Sequence, residues 1–460
     1  MNKKTKVLLI KPKSYSLAIT PPLGLGYLSG TLKKNGYSVT IIDCDLISKK
    51  KLIKEAERLK PDLIGITGMT PDFPEIKNLA KLFRKISPKA KIIVGGIHVS
   101  VLPKESFIEL KPDFIIIGEG EMTLLDLVNK REINDDNFGE VDGLCFYKDK
   151  KIIINKPRKL IKNLDDLKVD WEGLNILKYP SIPQTLIYKK WPFSPFMTSR
   201  GCPNNCAYCA SSDFWKRKLR FHSPIRVVDD IEHLIKKYNI KEIRFLDDNI
   251  TLNKSHISEI CNEILRRNIK INWCCPNGVQ FDTLDETLVK KMSESGCYFC
   301  GLGIEFGDAK IRKLANRHFD YSNLKEKIQL LRLHNIITWG FFVLGFPGET
   351  KETLIKTYRF SKEVGVDFAD FTLFIPIPGS EIYKSLTKSS KKNLDFKNFQ
   401  FYKPYLLSEH IGINVRKYQK KFMLGYYLRP KTLYLVLTVF IKLRDVFFLP
   451  RIFNTIILKK

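Results

Sequence analysis

The chain has 460 residues, more than one ordinary hydrophobic core organises, so two or three domains are expected. Apolar residues make up 44%, enough to bury sizeable cores, and ten cysteines are too sparse for a disulfide scaffold. The net charge of +29 favours an anionic partner (nucleic acid, a membrane surface or an acidic substrate) without choosing among them.

At the start, the apolar run "VLLI" stops at Lys11 and Pro12, too short for a secretory signal core. The expected compartment is the cytoplasm, where thiols stay reduced and clustered cysteines serve metal or redox chemistry. Residues 5 to 130 alternate short apolar runs ("KVLLIKP", "SVTIIDCD", "LIGITGMT", "KIIVGGIH", "FIIIGEGE") with amphipathic stretches such as "GLGYLSGTLKKNG" and "EIKNLAKLFRKI". That alternation predicts an α/β, doubly wound, Rossmann-like or flavodoxin-like open parallel sheet with helices on both faces. Such sheets bind ligands at the carboxyl ends of their strands. Those ends carry Thr67, Met69, Gly95, Gly96 and Glu119, with glycines that let a backbone approach a ligand.

Residues 136 to 190 read as a connector holding a small hairpin with "KDKK" at its turn. From 191 the alternation resumes: "FMTSRG", "EIRFLDDN", "INWCCPN", "FCGLGIEFG", "TWGFFVLGFPG" and "FADFTLFIPIPG" are candidate strands with helices between them. Six such units predict a partial (β/α)6 TIM-type barrel, again with functional residues at the strand carboxyl ends. The predicted divisions are 1–135, 136–190, 191–400 and a basic helical region, 401–460. Between Ile411 and Lys460 there are eleven Lys or Arg and one acidic residue, Asp445. The longest uncharged run there, Thr432 to Ile441, is too short to span a bilayer. It reads either as interfacial helices with basic edges or as a helical pair packed on the barrel with a solvated basic rim.

"CPNNCAYC" places Cys202, Cys206 and Cys209 at C-x3-C-x2-C on one loop. A structural zinc site usually takes four ligands in paired knuckles. Three thiolates on one loop suit a four-iron, four-sulfur cluster that keeps one iron free of protein ligands. Cys274, Cys275, Cys297 and Cys300 read as small buried thiols, because neighbours on one strand face opposite ways. Cys44, Cys145 and Cys261 read as structural.

With these residues in place, the chain resembles the radical S-adenosylmethionine (SAM) superfamily. The cysteine loop with Tyr208 before its third cysteine, then "FLDDN", "GLGIEFG", "GFPGET" and "PIPGSEIY", match that family's stretches in order, with Phe306 where serine is usual. The resemblance implies that Cys202, Cys206 and Cys209 hold a 4Fe-4S cluster. It implies that Asp247, Asp248, Asn249 and Glu305 help hold SAM, which is reductively cleaved to a 5′-deoxyadenosyl radical. A flavodoxin- or ferredoxin-type electron donor is implied as partner.

The first domain resembles the cobalamin-binding domains of the same superfamily, as found in anaerobic Mg-protoporphyrin ester cyclases and class B methyltransferases. It lacks the D-x-H-x-x-G loop: "KPKSYSLAITPPLG" has no histidine, so no lower-ligand histidine is expected there. His98 follows a different strand and reads as locally hydrogen-bonded. The expected activity is an oxygen-sensitive, cobalamin-dependent methyl transfer to an unactivated carbon, with a radical cyclase as alternative and a non-catalytic cobalamin or iron–sulfur sensor as the reading from another class. The basic apolar tail points to an amphipathic, membrane-associated substrate and to an anionic membrane surface, on the inner face, as a candidate partner. A nucleic-acid partner is not expected, because the tail is apolar and helical rather than a run of short strands.

Overall fold

The computed structural model describes residues 5–14, 19–132, 137–180, 187–392, 394–396, 399 and 412–443. The chain divides into two compact units, one of residues 1–180, 213–216 and 377–399, the other of 181–212, 217–376 and 400–460.

The first unit holds seven strands: β1 (Lys6–Lys11), β2 (Ser38–Asp43), β3 (Leu63–Thr67), β4 (Lys91–Gly95), β5 (Phe114–Ile116), β6 (Leu144–Lys148) and β7 (Lys151–Ile154). Their order is β2-β1-β3-β4-β5-β6-β7, with β1 to β5 parallel. Strand β1 is apolar throughout because both its faces are covered: Leu8 and Ile10 enter one core, Val7 and Leu9 the other. The chain order reverses between β1 and β3, and the carboxyl ends of those two strands flank the resulting crevice.

The expected connector departs from its reading. Its hairpin is part of the sheet: β6 pairs antiparallel with β5 and β7 with β6. Asp149 and Lys150 both take positive φ, the geometry of the two-residue turns that fit strand twist. A stretch read from local polarity cannot reveal that β5 leaves an open edge for it.

The second unit contains six parallel strands in the order β8-β11-β12-β13-β14-β15: β8 (Phe193–Phe196), β11 (Glu242–Phe245), β12 (Asn272–Val279), β13 (Cys297–Glu305), β14 (Ile337–Leu344) and β15 (Phe368–Leu373). This is the partial barrel. The first strand ends before "TSRG"; Ser199–Arg200 (β9) instead pairs antiparallel with Arg220–Phe221 (β10) in a short ribbon.

Glu242 and Arg244 are 0% and 1% exposed, and form an ion pair at 2.9 Å. Glu242 also accepts from Tyr298 Oη at 2.7 Å and from the Lys189 and Lys190 amides, so this buried charge is satisfied on several sides. The thiols sort as the pleat demands. Cys274 Sγ lies 3.9 Å from Glu242, whereas the free thiol of Cys275 interacts with those of Cys297 and Cys300, whose sulfurs are 3.8 Å apart. All four are buried.

At the open edge, β15 is covered by the helix Val415–Tyr427. Gln419 donates to Phe371 O at 2.6 Å, Tyr426 Oη to Val366 O at 2.5 Å, and Tyr427 Oη to Ala369 O at 2.9 Å while accepting from the Ala369 amide at 3.2 Å. These bonds satisfy backbone groups that the missing neighbour strand leaves unpaired. The next helix, Pro430–Leu443, exposes Leu433, Tyr434 and Leu437. No helix among the described residues is long and apolar enough to cross a membrane. The rest of the expected basic tail, 401–411 and 444–460, lies outside the described residues.

Candidate active site

Cys202, Cys206 and Cys209 line one cavity of about 150 Å³ with Tyr208, Asp248, Asn249, Gly303, Glu305 and Arg317. Gly201 enters the loop with φ +98°, a backbone state that suits glycine. The loop is then pinned by Ala207 N–H to Ala315 O at 3.0 Å and by a turn from Cys209 N–H to Cys206 O at 3.0 Å. Two donors already face sulfur: Arg317 Nη1 lies 3.5 Å from Cys206 Sγ, and the Ser211 amide 3.4 Å from Cys209 Sγ. Burial pushes the thiols of Cys202 and Cys209 up, to about 11 and about 12, so holding thiolates here requires added positive charge.

The donor set fits an iron–sulfur cluster. Three thiols from one loop share one cavity, with an arginine and an amide already facing their sulfurs. That arrangement suits a polynuclear centre whose thiolates stand apart on different irons.

Glu305 ends β13 at a register shift and takes φ +66°, a left-handed conformation uncommon for a side chain of this type. The bend turns its carboxylate to Arg317, 3.8 Å away, and to the hydroxyl of Tyr208. Burial raises the Glu305 carboxyl, and Arg317 and Tyr208 pull it back toward the charged form. The Tyr208 ring meets Phe306 and Phe346 edge-on at 6.2 and 6.5 Å. Phe306 therefore fills the wall behind Tyr208, and is fully buried.

The "FLDDN" residues separate. Asp248 is exposed, lines the cavity and accepts from Ser211 Oγ at 2.7 Å. Asn249 joins an amide chain: Gln280 Oε1 accepts from Asn249 at 3.3 Å and from Asn204 at 3.2 Å. Asp247, expected at SAM, is instead 1% exposed and turned away from the cavity. It accepts from the Thr198 amide and hydroxyl at 3.0 and 2.8 Å and from Ser199 Oγ at 2.5 Å, tying the approach to the cysteine loop to the end of β11. Arg317, Gln280 and Asn204 escaped the sequence reading. Nothing in "NRHFD" or "NGVQF" marks them, since their partners lie on other strands.

In the first unit, Thr67, Met69, Gly95 and Gly96 come together at the carboxyl ends of β3 and β4. Gly96 has φ +101°, and a Cβ there would stand 2.6 Å from Gly68 O. A Cβ on Gly95 would meet nothing within 4 Å, so that backbone faces open space into which a flat macrocycle could settle. These residues fit a cobalamin shelf. Glu119, expected beside them, is instead buried, its carboxylate accepting from the Ile161 amide at 2.8 Å. His98 is buried, bonds Thr70 Oγ1 at 3.2 Å and packs on Phe73 with ring centroids 4.3 Å apart; burial lowers it to about 4, leaving it neutral.

Comparison with known proteins agrees with both units. Residues 14–128 match the B12 binding domain and residues 196–361 the radical SAM superfamily. The chain is 30% identical to an uncharacterized methyltransferase of Pyrococcus horikoshii over 94% of each chain. It is also 30% identical to the anaerobic magnesium-protoporphyrin IX monomethyl ester cyclase of Cereibacter sphaeroides, over 84% of this chain and 63% of that enzyme. The solved structure of the radical SAM methyltransferase TsrM from Kitasatospora setae, with cobalamin and a [4Fe-4S] cluster bound, shares the fold: TM-score 0.71 and 17% identity, over 92% of this chain and 82% of that one. The chain belongs to the cobalamin-binding radical SAM enzyme family.

Proposed function

We propose that this enzyme transfers a methyl group to an unactivated carbon of an amphipathic, membrane-associated substrate. The observation that carries the radical part is one cavity that gathers Cys202, Cys206 and Cys209 beside the carboxylates of Asp248 and Glu305. When bound, the cluster supplies the electron that cleaves SAM to a 5′-deoxyadenosyl radical, and cobalamin supplies the methyl group. The chain's own residues then have distinct tasks. Arg317 offsets negative charge at Cys206 and draws Glu305 toward its charged form against the effect of burial. Glu305, Asp248 and Asn249 would receive the ammonium and hydroxyl groups of SAM, and Asp247 would position the cysteine loop without touching the cofactor. A flavodoxin- or ferredoxin-type protein fits as reductant. The exposed Leu433, Tyr434 and Leu437, within a tail rich in Lys and Arg, support a lipid surface as the source of substrate.

The test is anaerobic reconstitution with iron, sulfide and cobalamin, followed by SAM, reductant and lipid extracts, with 5′-deoxyadenosine and S-adenosylhomocysteine quantified together. Both products rising together, dependent on cobalamin and an extract, is the expected result. Deoxyadenosine alone favours the second reading, a radical cyclisation, for which the similarity to the cyclase of Cereibacter sphaeroides speaks. Neither product from a cluster-loaded protein overturns catalysis and leaves the non-catalytic sensor.

A further inference from the structure

We propose that Met69 forms the floor of the cobalamin site: its thioether packs against the lower face of the corrin and keeps water and nitrogen ligands off the cobalt. This rests on the cobalamin reading of the first unit. The position follows from topology. With strand order β2-β1-β3-β4-β5, the ligand crevice opens between the carboxyl ends of β1 and β3, and Met69 is the second residue beyond β3.

Met69 is 64% exposed in a stretch whose neighbours turn inward, since Thr70 and Asp72 are both buried. Its backbone is held, not loose. The Asp72 carboxylate accepts the Met69 amide at 2.9 Å, and Met69 is extended with φ −91° and ψ 178°. Behind it, Gly68 has room for no side chain, as a Cβ would lie 2.9 Å from Asp72 Cβ and 3.0 Å from Ile76 Cδ1. A large apolar side chain is thus presented to solvent on a rigid support, which costs exposed surface unless something apolar covers it.

Among the described residues, the imidazole of this unit and the ammonium at the end of β1 are committed elsewhere. His98 is the one histidine in residues 1–180, and it is buried against Thr70 and Phe73. On the β1 side, the Lys11 ammonium is tied to Asp43 at 3.2 Å and to Asp45. Asp43 also accepts from Tyr179 Oη at 2.8 Å. A thioether has no proton to give and is a weak acceptor, so Met69 acts there as a polarisable apolar contact.

The test uses the full-length protein loaded with cob(II)alamin, read by electron paramagnetic resonance and by titration of the cofactor. The wild-type spectrum is expected to lack nitrogen splitting. Met69→His is expected to introduce nitrogen splitting, by putting an imidazole under the metal. Met69→Ala is expected to shift the spectrum toward a water-ligated cobalt and to weaken cofactor binding by roughly tenfold, the scale of an uncovered methionine. Met69→Leu, apolar and of similar size, is expected to keep the wild-type spectrum. Nitrogen splitting in the wild type, or an unchanged spectrum in both Met69→His and Met69→Ala, overturns the proposal. A Met69→Leu spectrum that matches Met69→Ala overturns shielding in favour of sulfur ligation. Failure of the wild type to bind cob(II)alamin at all is a separate result, which overturns the cobalamin reading itself.

Discussion

Glu349 in "GFPGET" shows how one residue couples stability to pH. Its Oε2 accepts the Gly345 and Phe346 amides at 2.6 and 3.0 Å, while Oε1 is buried without a hydrogen-bond partner. Burial therefore pushes this carboxyl up to about 8 from an ordinary 4.5. The folded state holds it neutral while the unfolded chain ionises first. Its contribution is full below about pH 4.5, falls as pH rises to about 8, and is level above that. Glu349→Gln keeps an acceptor for both amides without the charge. Urea denaturation is expected to find the variant more stable than wild type at pH 8.5 and close to it at pH 4.5. The adjacent acids of "FLDDN" separate by the same kind of measurement. Asp247→Asn loses acceptor capacity toward Thr198 and Ser199 and is expected to cost about 1–3 kcal/mol. Asp248→Ala, at an exposed position, is expected to change stability by less than about 0.5 kcal/mol while weakening SAM binding in equilibrium dialysis.

At the scale of elements, the helix Val415–Tyr427 acts as a substitute for the strand that a closed barrel would place beside β15. Its apolar face is spent on the barrel: Phe422 stacks on Tyr358 at 4.5 Å, and Tyr426 meets Phe371. Tyr427→Phe keeps that packing and leaves the Ala369 amide and carbonyl without their partner. It is expected to cost about 1–2 kcal/mol, read as a lower urea midpoint with an unchanged slope. Composition alone left two uses open for this segment, interfacial or packed on the barrel. The packed use holds for 415–427, because side-chain hydrogen bonds to an edge strand are invisible in a hydropathy pattern. The hairpin β6–β7 teaches the same lesson: its turn was legible in "KDKK", its place in the sheet was not.

For the whole molecule, the division of the basic tail decides how membrane contact should be tested. A chain cut near residue 410 loses the edge cover of β15 and confounds folding with binding. A chain ending at Leu428 keeps that helix and removes only the segment that exposes Leu433, Tyr434 and Leu437. In flotation with anionic liposomes the full chain is expected to rise with the vesicles, less so at high salt, and the chain ending at Leu428 to stay below. Equal flotation of the two at low salt would remove the tail from the account.

The amino-acid sequence by itself determined the elements whose signal is contiguous. The C-x3-C-x2-C loop, the doubly wound alternation, five of the six barrel strands and the missing D-x-H-x-x-G histidine are all readable within short windows, because spacing and hydrophobic period are local properties. Tertiary structure decided which polar side chains face the cavity and which hold the frame. Asp247 and Asp248 are neighbours with opposite fates, and Glu119 turns inward to the Ile161 amide. Arg317 reaches Cys206 across 111 residues, and Thr198 reaches Asp247 across 49. Such pairings exist only once parallel strands have brought distant carboxyl ends to one rim, and a strand's own sequence does not record its neighbour across the sheet.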